Sequence, residues 1–317
     1  MRKLVSNILS IAALACCFVA CNKSEQPGEP SGPRQNAVIS IACPEAYTKA
    51  LGDGTKASEV YYTAFVGDLV VPSLTGKADL VGGQATLQLA LVQNVTYDFV
   101  FWAQPEQGQN PVFDLTNFNV NSEVKVNYKN ALANDDLRDA FCTCKSIAVV
   151  KDMPAVTVYL TRPFSQINFC SSDYEAIKYL GLHTGLTSEM YVTYTTNVPD
   201  VLKVRDGSVS TSSQAQEIHF ALAAIPSGDD EYITIKGTKY GYVGMNYVLA
   251  SEVGETVVVK GGFKNGDAVW TTGNIENVPV KRNYKTNIVG ELFVEHGQLQ
   301  IIVQPEFNTP DETVTIQ

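Results

Sequence analysis

The feature that most constrains the fold is a long alternating run near the middle of the chain, residues 156–169, broken by Arg162-Pro163. Val156 and Val158 point to one side of this run and polar neighbours to the other, the period-two pattern of a half-buried strand. Because proline has no N–H to donate to a ladder, two strands meeting at a corner fit the run better than one strand does. One β-domain is therefore expected to end at the corner and a second to begin there. The predicted domains are residues 50–162 and 163–317.

The first residues have the character of a bacterial secretion signal. Arg2 and Lys3 supply a positive end, and an apolar core follows that is too short for a comfortable membrane span. Small residues before Cys21 predict lipoprotein processing, in which Cys21 is acylated with a lipid such as palmitate and becomes the mature N-terminus. The signal peptide is then residues 1–20. The alternative is an ordinary signal peptide with incidental cysteines.

Residues 21–36 are rich in Pro, Gly, Ser and Glu and poor in apolar side chains. Such a segment buries too little apolar surface to offset the loss of chain entropy on folding, so a disordered lipoprotein tether is expected. No later apolar run reaches the length of a transmembrane helix. The body is therefore expected to hang from a lipid anchor on Cys21.

Composition favours an all-β body. The chain has 15 Tyr, 13 Phe and 45% hydrophobic residues, and its short strands are separated by Gly, Asn and Pro turns, which is typical of a Greek-key sandwich or barrel. A few short helical turns are expected, one of them capped by Asn134. The net charge of −10 argues against nucleic acid as a partner.

The motifs of common enzymes and cofactor sites are not found in the sequence. There is no Gly-x-Ser-x-Gly elbow and no His-Glu-x-x-His pair, and the three histidines are widely separated, so no catalytic, cofactor or metal residue is predicted. A hydrolase with unrecognised paired carboxylates stays open as a minor alternative. Cys142-Thr-Cys144 has neither a redox nor a zinc spacing. A disulfide from Cys170 to Cys142 or Cys144 also stays open.

Four stretches, taken in order, resemble the fimbrillin family, the lipoprotein pilin precursors of Bacteroidia. They are Cys21 with its tether, residues 48–54, the central run 158–169, and residues 278–288. The resemblance implies two tandem transthyretin-like Greek-key β-sandwich domains and no catalysis. It also implies a location at the outer membrane, with the body exposed at the cell surface or in a fimbrium. Assembly is then expected with other copies or related fimbrial subunits by β-strand exchange, after a protease removes the first strand.

The resemblance assigns roles to both ends of the body. Residues 37–49 become the candidate removable strand, with Ile39 and Cys43 on its apolar face, and the expected cut lies between Lys49 and Ala50. Fimbrillins usually carry arginine at this place, so a cut between Arg34 and Gln35 is the alternative. The candidate donor strand at the C-terminal end is marked by the alternating residues Val314 and Ile316.

A second function class stays open beside the fimbrial subunit. A surface lipoprotein that binds glycans for a nutrient-uptake complex is also built from tethered β-sandwiches. Trp270 is the candidate sugar contact under this alternative, whereas Trp102 is expected in the core. Under either class a host or bacterial surface ligand is an expected partner.

Overall fold

The computed structural model describes residues 29–43, 56–109, 111–179, 189–212, 218–219, 223–224, 228, 231–265, 268–294, 297–304 and 312–314. The strands, in chain order, are β1 (Arg34–Ala42), β2 (Glu59–Val66), β3 (Leu69–Val70), β4 (Gly76–Asp79), β5 (Gln84–Val92), β6 (Thr96–Gln104), β7 (Phe113–Asp114), β8 (Glu123–Val126), β9 (Phe141–Ala148), β10 (Val156–Tyr159), β11 (Phe164–Ser171), β12 (Glu189–Tyr194), β13 (Val201–Lys203), β14 (Val209–Ser210), β15 (Ile218–His219), β16 (Ala223–Ala224), β17 (Tyr232–Ile235), β18 (Thr238–Leu249), β19 (Glu255–Asn265), β20 (Ala268–Thr271), β21 (Ile275–Val280), β22 (Lys285–Gly290), β23 (Leu299–Gln304) and β24 (Glu312–Val314). The helices are α1 (Phe118–Asn121) and α2 (Tyr174–Tyr179), with 3-10 turns at Pro72–Leu74, Tyr128–Asn130 and Asp136–Arg138. The predicted all-β class with a few short helical turns is confirmed.

Two sheets of the first half pack face to face as a sandwich. One sheet has the order β10-β1-β5, and the other has the order β3-β2-β6-β9, with β4 also paired to β2. Their facing side chains form one buried cluster, which includes Ile39 of β1, Leu87 of β5 and Phe99 of β6. This face exists because the side chains of a strand alternate between its two sides.

The second half builds a larger sandwich around β11. Its two sheets have the orders β17-β18-β11-β22-β23-β24 and β15-β12-β19-β20, with β16 and β21 paired to β12 and β19. β11 runs antiparallel to β18 and parallel to β22, and its eight residues are all buried. β10 and β11 lie in different sheets on either side of Arg162-Pro163, so the predicted corner is confirmed. The division of the chain into domains at this corner stays a prediction.

Residues 111–140, which we call the arm, leave the first sandwich between β6 and β9 and pack on the second. β7 and β8 of the arm form a small sheet with β13 and β14, in the order β14-β13-β8-β7. Phe113, Phe118 and Val124 of the arm are buried in the same cluster as Phe169 of β11. The arm therefore ties the two sandwiches together through apolar burial.

The helical turn predicted in the arm is a 3-10 turn, Asp136–Arg138, and the prediction of its cap was wrong. Asp135 caps it, because its Oδ1 accepts a hydrogen bond from Leu137 N at 2.9 Å. Asn134 instead has a φ of 55° and accepts a hydrogen bond from Met245 N at 2.6 Å through its Oδ1. Its side chain is thus engaged by the second sandwich.

Candidate functional site: the β1 groove

β1 is the middle strand of its sheet and joins two strands that do not pair with each other. All nine of its residues pair antiparallel with β5, and its residues 39–42 pair parallel with β10. Across the described ranges, β10 has no other partner in a ladder. Without β1, the inner backbone edges of β5 and β10 would both face an empty slot, which we call the β1 groove.

The side chains of β1 that fill this groove form one apolar row. Ala37, Ile39, Ile41 and the adjacent Cys43 are each at most 7% exposed, whereas Val38 on the opposite face is 37% exposed. The row confirms the apolar face predicted from the alternation of this segment. Burial raises the pKa of the Cys43 thiol to about 12, so the thiol is neutral and serves as a small apolar side chain.

The groove ends beside a buried ion pair at the junction of the two sandwiches. Leu160 N donates to the carbonyl oxygen of Ala42 at 2.9 Å, just before the corner. Arg162 Nε and Nη2 donate to the two carboxylate oxygens of Asp139 at 2.5 and 2.6 Å, and the guanidinium lies 4.8 Å from the ring centre of Phe141. Because this pair is bidentate and buried, it fixes the direction in which the chain leaves β10.

Residues 29–36 lie against the first sandwich, so the predicted extent of the disordered tether, residues 21–36, was wrong at its C-terminal end. Arg34 and Gln35 pair with β5 as the first residues of β1. Arg34 also forms an ion pair with Glu29 at 3.1 Å. Low apolar content predicted disorder here, but backbone pairing and side-chain hydrogen bonds supply the contacts instead.

The remaining predicted site residues lie apart from the groove or outside the described residues. Cys21, Lys49, Ala50 and Ile316 are outside them, as are residues 1–20 of the predicted signal peptide. Val314 lies in β24, opposite Ile301 of β23 at the edge of the second sandwich. The backbone of Trp270 lies in β20 opposite Phe263, and its side chain is not described.

The core position predicted for Trp102 is confirmed. Its side chain is fully buried, and its Nε1 donates to Gln104 Oε1 at 2.7 Å. A buried indole needs such a partner for its N–H, so this residue is structural.

The thiols and acidic groups give no sign of a reactive or metal centre in the described part of the chain. Cys142, Cys144 and Cys170 are free thiols. Burial raises the pKa of Cys142 to about 12 and that of Cys144 to about 11, so both are protonated near neutral pH. The same ranges hold no cluster of three or more His, Cys, Asp or Glu side chains that would suit a metal ion. None of their helices has the length and apolar character needed to cross a bilayer.

Sequence reasoning missed a polar cleft where the second half meets the first sandwich. Arg205, just after β13, donates to Asp98 Oδ2 at 2.8 Å and to the carbonyl oxygen of Gly67 at 2.5 Å. Its guanidinium covers the ring of Phe65 at 5.0 Å, and the adjoining cleft has a volume of about 530 Å³. No local pattern around Arg205 signals these long-range contacts.

Residues 68–317 match the model of a protein family described as a family of unknown function, DUF6562. The chain belongs to this family. No curated protein is similar enough to the chain to count as a match.

Several solved structures are similar to this DUF6562 member. A candidate adhesin of Bacteroides thetaiotaomicron has 10% identity and a TM-score of 0.51, and the match covers 90% of this chain and 99% of that one. For a candidate cell adhesion protein of Bacteroides ovatus the identity is 11%, the TM-score 0.49 and the coverage 90% and 99%. For the tip fimbrial protein Mfa3 of Porphyromonas gingivalis, with a C-terminal truncation, the identity is 10%, the TM-score 0.44 and the coverage 86% and 100%. At 10% identity the likeness to the B. thetaiotaomicron protein is one of fold, and it agrees with the predicted all-β sandwich class.

Proposed function

We propose that this chain is the precursor of a fimbrial subunit or fimbrillin-like adhesin, held at the outer membrane by lipid on Cys21 and assembled by strand exchange. The observation that carries the proposal is the position of β1. An early strand that is central in its sheet and apolar on its inner face leaves a complete strand-binding groove when it is removed. The fold likeness to a candidate adhesin supports this assignment.

Cleavage after Lys49 fits the groove better than cleavage after Arg34. Lys49 follows β1, so a cut there separates β1 from β2 and frees it to leave. The peptide bond between Arg34 and Gln35 lies inside the ladder with β5. Its backbone is already paired there, so it cannot enter the active site of a protease. A cut at that bond would also leave β1 joined to the body.

The strand that refills the groove comes from another copy or a related subunit. It has to offer alternating apolar side chains, as β1 does with Ile39 and Ile41. Val314 and Ile316 provide this alternation near the C-terminal end. In the structure Val314 pairs with β23, so the donor has to leave that edge before it enters a neighbour.

The mass of the protein taken from its native cell surface tests this proposal directly. A precursor begins at an acylated Cys21, whereas an assembled subunit begins at Ala50. Changing Cys21→Ala is expected to release the protein from membranes. A surface protein with an unmodified N-terminal segment and no cut between residues 43 and 57 would contradict the proposal.

A further inference from the structure

We propose that residues 29–36 form a polar clasp that retains β1 in its groove after the chain is cut, so that cleavage and strand release are separate steps. The inference rests on the proposed function, because it describes how the removal of β1 is controlled. It adds that the cut body stays bound to its own first strand, and through Cys21 to the membrane, until the clasp opens.

The first contact of the clasp is made by Glu29. Its Oε1 accepts a hydrogen bond from Ser73 N at 3.1 Å, and its Oε2 pairs with Arg34 Nη2 at 3.1 Å. Ser73 belongs to the 3-10 turn between β3 and β4. The Glu29 side chain is 19% exposed, so both of its oxygens are engaged in a half-sheltered position.

The second contact is made by Gln35, whose side-chain amide both donates and accepts a hydrogen bond. Its Nε2 donates to the carbonyl oxygen of Val150 at 2.5 Å, and its Oε1 accepts from Asp152 N at 3.0 Å. Both partners belong to the turn between β9 and β10. One side chain thus satisfies a donor and an acceptor of the same turn.

Between these two contacts the backbone itself is held. Gln93 N donates to the carbonyl oxygen of Pro33 at 2.9 Å. Gly32 has a φ of 143°, and a Cβ there would lie 3.0 Å from Val92 Cγ1, so glycine permits the close approach. The clasp therefore contacts three separate turns of the first sandwich.

The side-chain contacts of the clasp are distinct from the backbone pairing within the groove, although Arg34 and Gln35 also belong to β1. The hydrogen bonds of β1 to β5 and β10 are backbone bonds, which any strand of suitable length can supply. The bonds of Glu29 and Gln35 depend on their side chains, so an incoming strand gains them only if it carries equivalent groups. A cut among residues 44–55 breaks none of them. We infer that the original strand has a local advantage over a competitor until these contacts break.

The test compares release of the N-terminal fragment after cutting. The purified full chain is treated with a limiting amount of a lysine-specific protease, and denaturing mass spectrometry counts the chains cut between residues 43 and 57. Native mass spectrometry then follows how fast the fragment leaves the cut body. The double variant Glu29→Gln/Gln35→Ala is expected to lose the fragment about tenfold faster than the natural chain, because a few side-chain hydrogen bonds are lost. The matched control is Glu276→Gln/Gln109→Ala, which makes the same chemical changes at exposed residues outside β1 and outside the two strands that pair with it.

The outcomes separate the clasp from strand exchange. Equal release rates in all three proteins would overturn the clasp and leave strand exchange standing. Faster release in the double variant without any oligomers would support the clasp and overturn strand exchange. Hydrogen exchange of the uncut chains tests the clasp without cleavage. Faster exchange of residues 34–42 in the double variant than in the control supports the clasp, and equal exchange in the two overturns it.

Discussion

Asp139 and Arg162 form a fully enclosed ion pair at the junction between the two sandwiches, with side chains 2% and 3% exposed. Changing Asp139→Asn leaves the Arg162 charge buried without its counter-charge. Breaking such a pair typically costs about 3–5 kcal/mol of unfolding free energy. Denaturant unfolding followed by circular dichroism measures this loss.

The control for this prediction is Glu252→Gln. Glu252 forms an ion pair with Arg282, and the Glu252 side chain is 77% exposed. Because Glu252 is largely exposed, water can replace its carboxylate beside Arg282, and this variant is expected to lose at most about 1 kcal/mol of unfolding free energy. If the two variants unfold at similar denaturant concentrations, the ion pair does not hold the junction.

Glu29 gives the clasp a predicted dependence on pH. The hydrogen bond from Ser73, together with Arg34, lowers the pKa of Glu29 below its ordinary value of 4.5. A carboxyl group with a lowered pKa contributes stability above its ordinary pKa, and the contribution is lost as the pH falls through the lowered one. Protection of residues 34–36 from hydrogen exchange, corrected for intrinsic rates, is therefore expected to decline below pH 4.5. Glu29→Gln is expected to remove that decline, and an unchanged decline would assign it to another group.

At the scale of single elements, β1 provides a comparison within one strand. Ile39 is fully buried and Val38 is 37% exposed, although the two are neighbours. Ile39→Ala is expected to lower the free energy of unfolding by about 2–5 kcal/mol, through lost burial and a cavity. Val38→Ala is expected to lower it by less than about 1 kcal/mol. Similar losses in thermal or denaturant unfolding would mean that the row facing the groove does not hold β1.

Strand periodicity predicted elements well and their partners poorly. The alternation of Ile39 and Cys43 gave β1 its buried face, and the corner at Pro163 separated β10 from β11, because both signals are local. The parallel pairing of β1 with β10 joins residues far apart in the chain, and no local pattern encodes it. The same limit explains why Arg34 and Gln35 were predicted to lie in the tether. Their hydrogen-bond partners are distant in sequence, so no local pattern shows that these residues are held.

The whole molecule was predicted as two tandem sandwiches, and the arm complicates that division. Short strands such as β7 and β8 carry too few residues for periodicity to be seen. Residues of the arm, including Phe113 and Phe118, complete the core of the second sandwich.

Residues 163–317 expressed alone are therefore expected to expose apolar surface. Because this fragment lacks the arm, it should bind a hydrophobic dye and unfold with low cooperativity, even if its circular dichroism is rich in strand. Calorimetry compares the thermal unfolding of this fragment with that of the full chain. A cooperative transition in the isolated fragment, at the temperature seen in the full chain, would show that the arm is dispensable and would support a division at the corner.

Strand exchange is the central claim, and size-exclusion chromatography before and after limited trypsin treatment tests it most directly. Once β1 has left the cut body, the groove is open and the C-terminal strand of another copy is expected to fill it. Cleavage followed by loss of β1 should therefore convert monomers into oligomers. Deleting residues 305–317 should weaken the conversion, because it removes Val314 and Ile316. Cleaved protein that has lost β1 and stays monomeric at high concentration would contradict assembly by strand exchange.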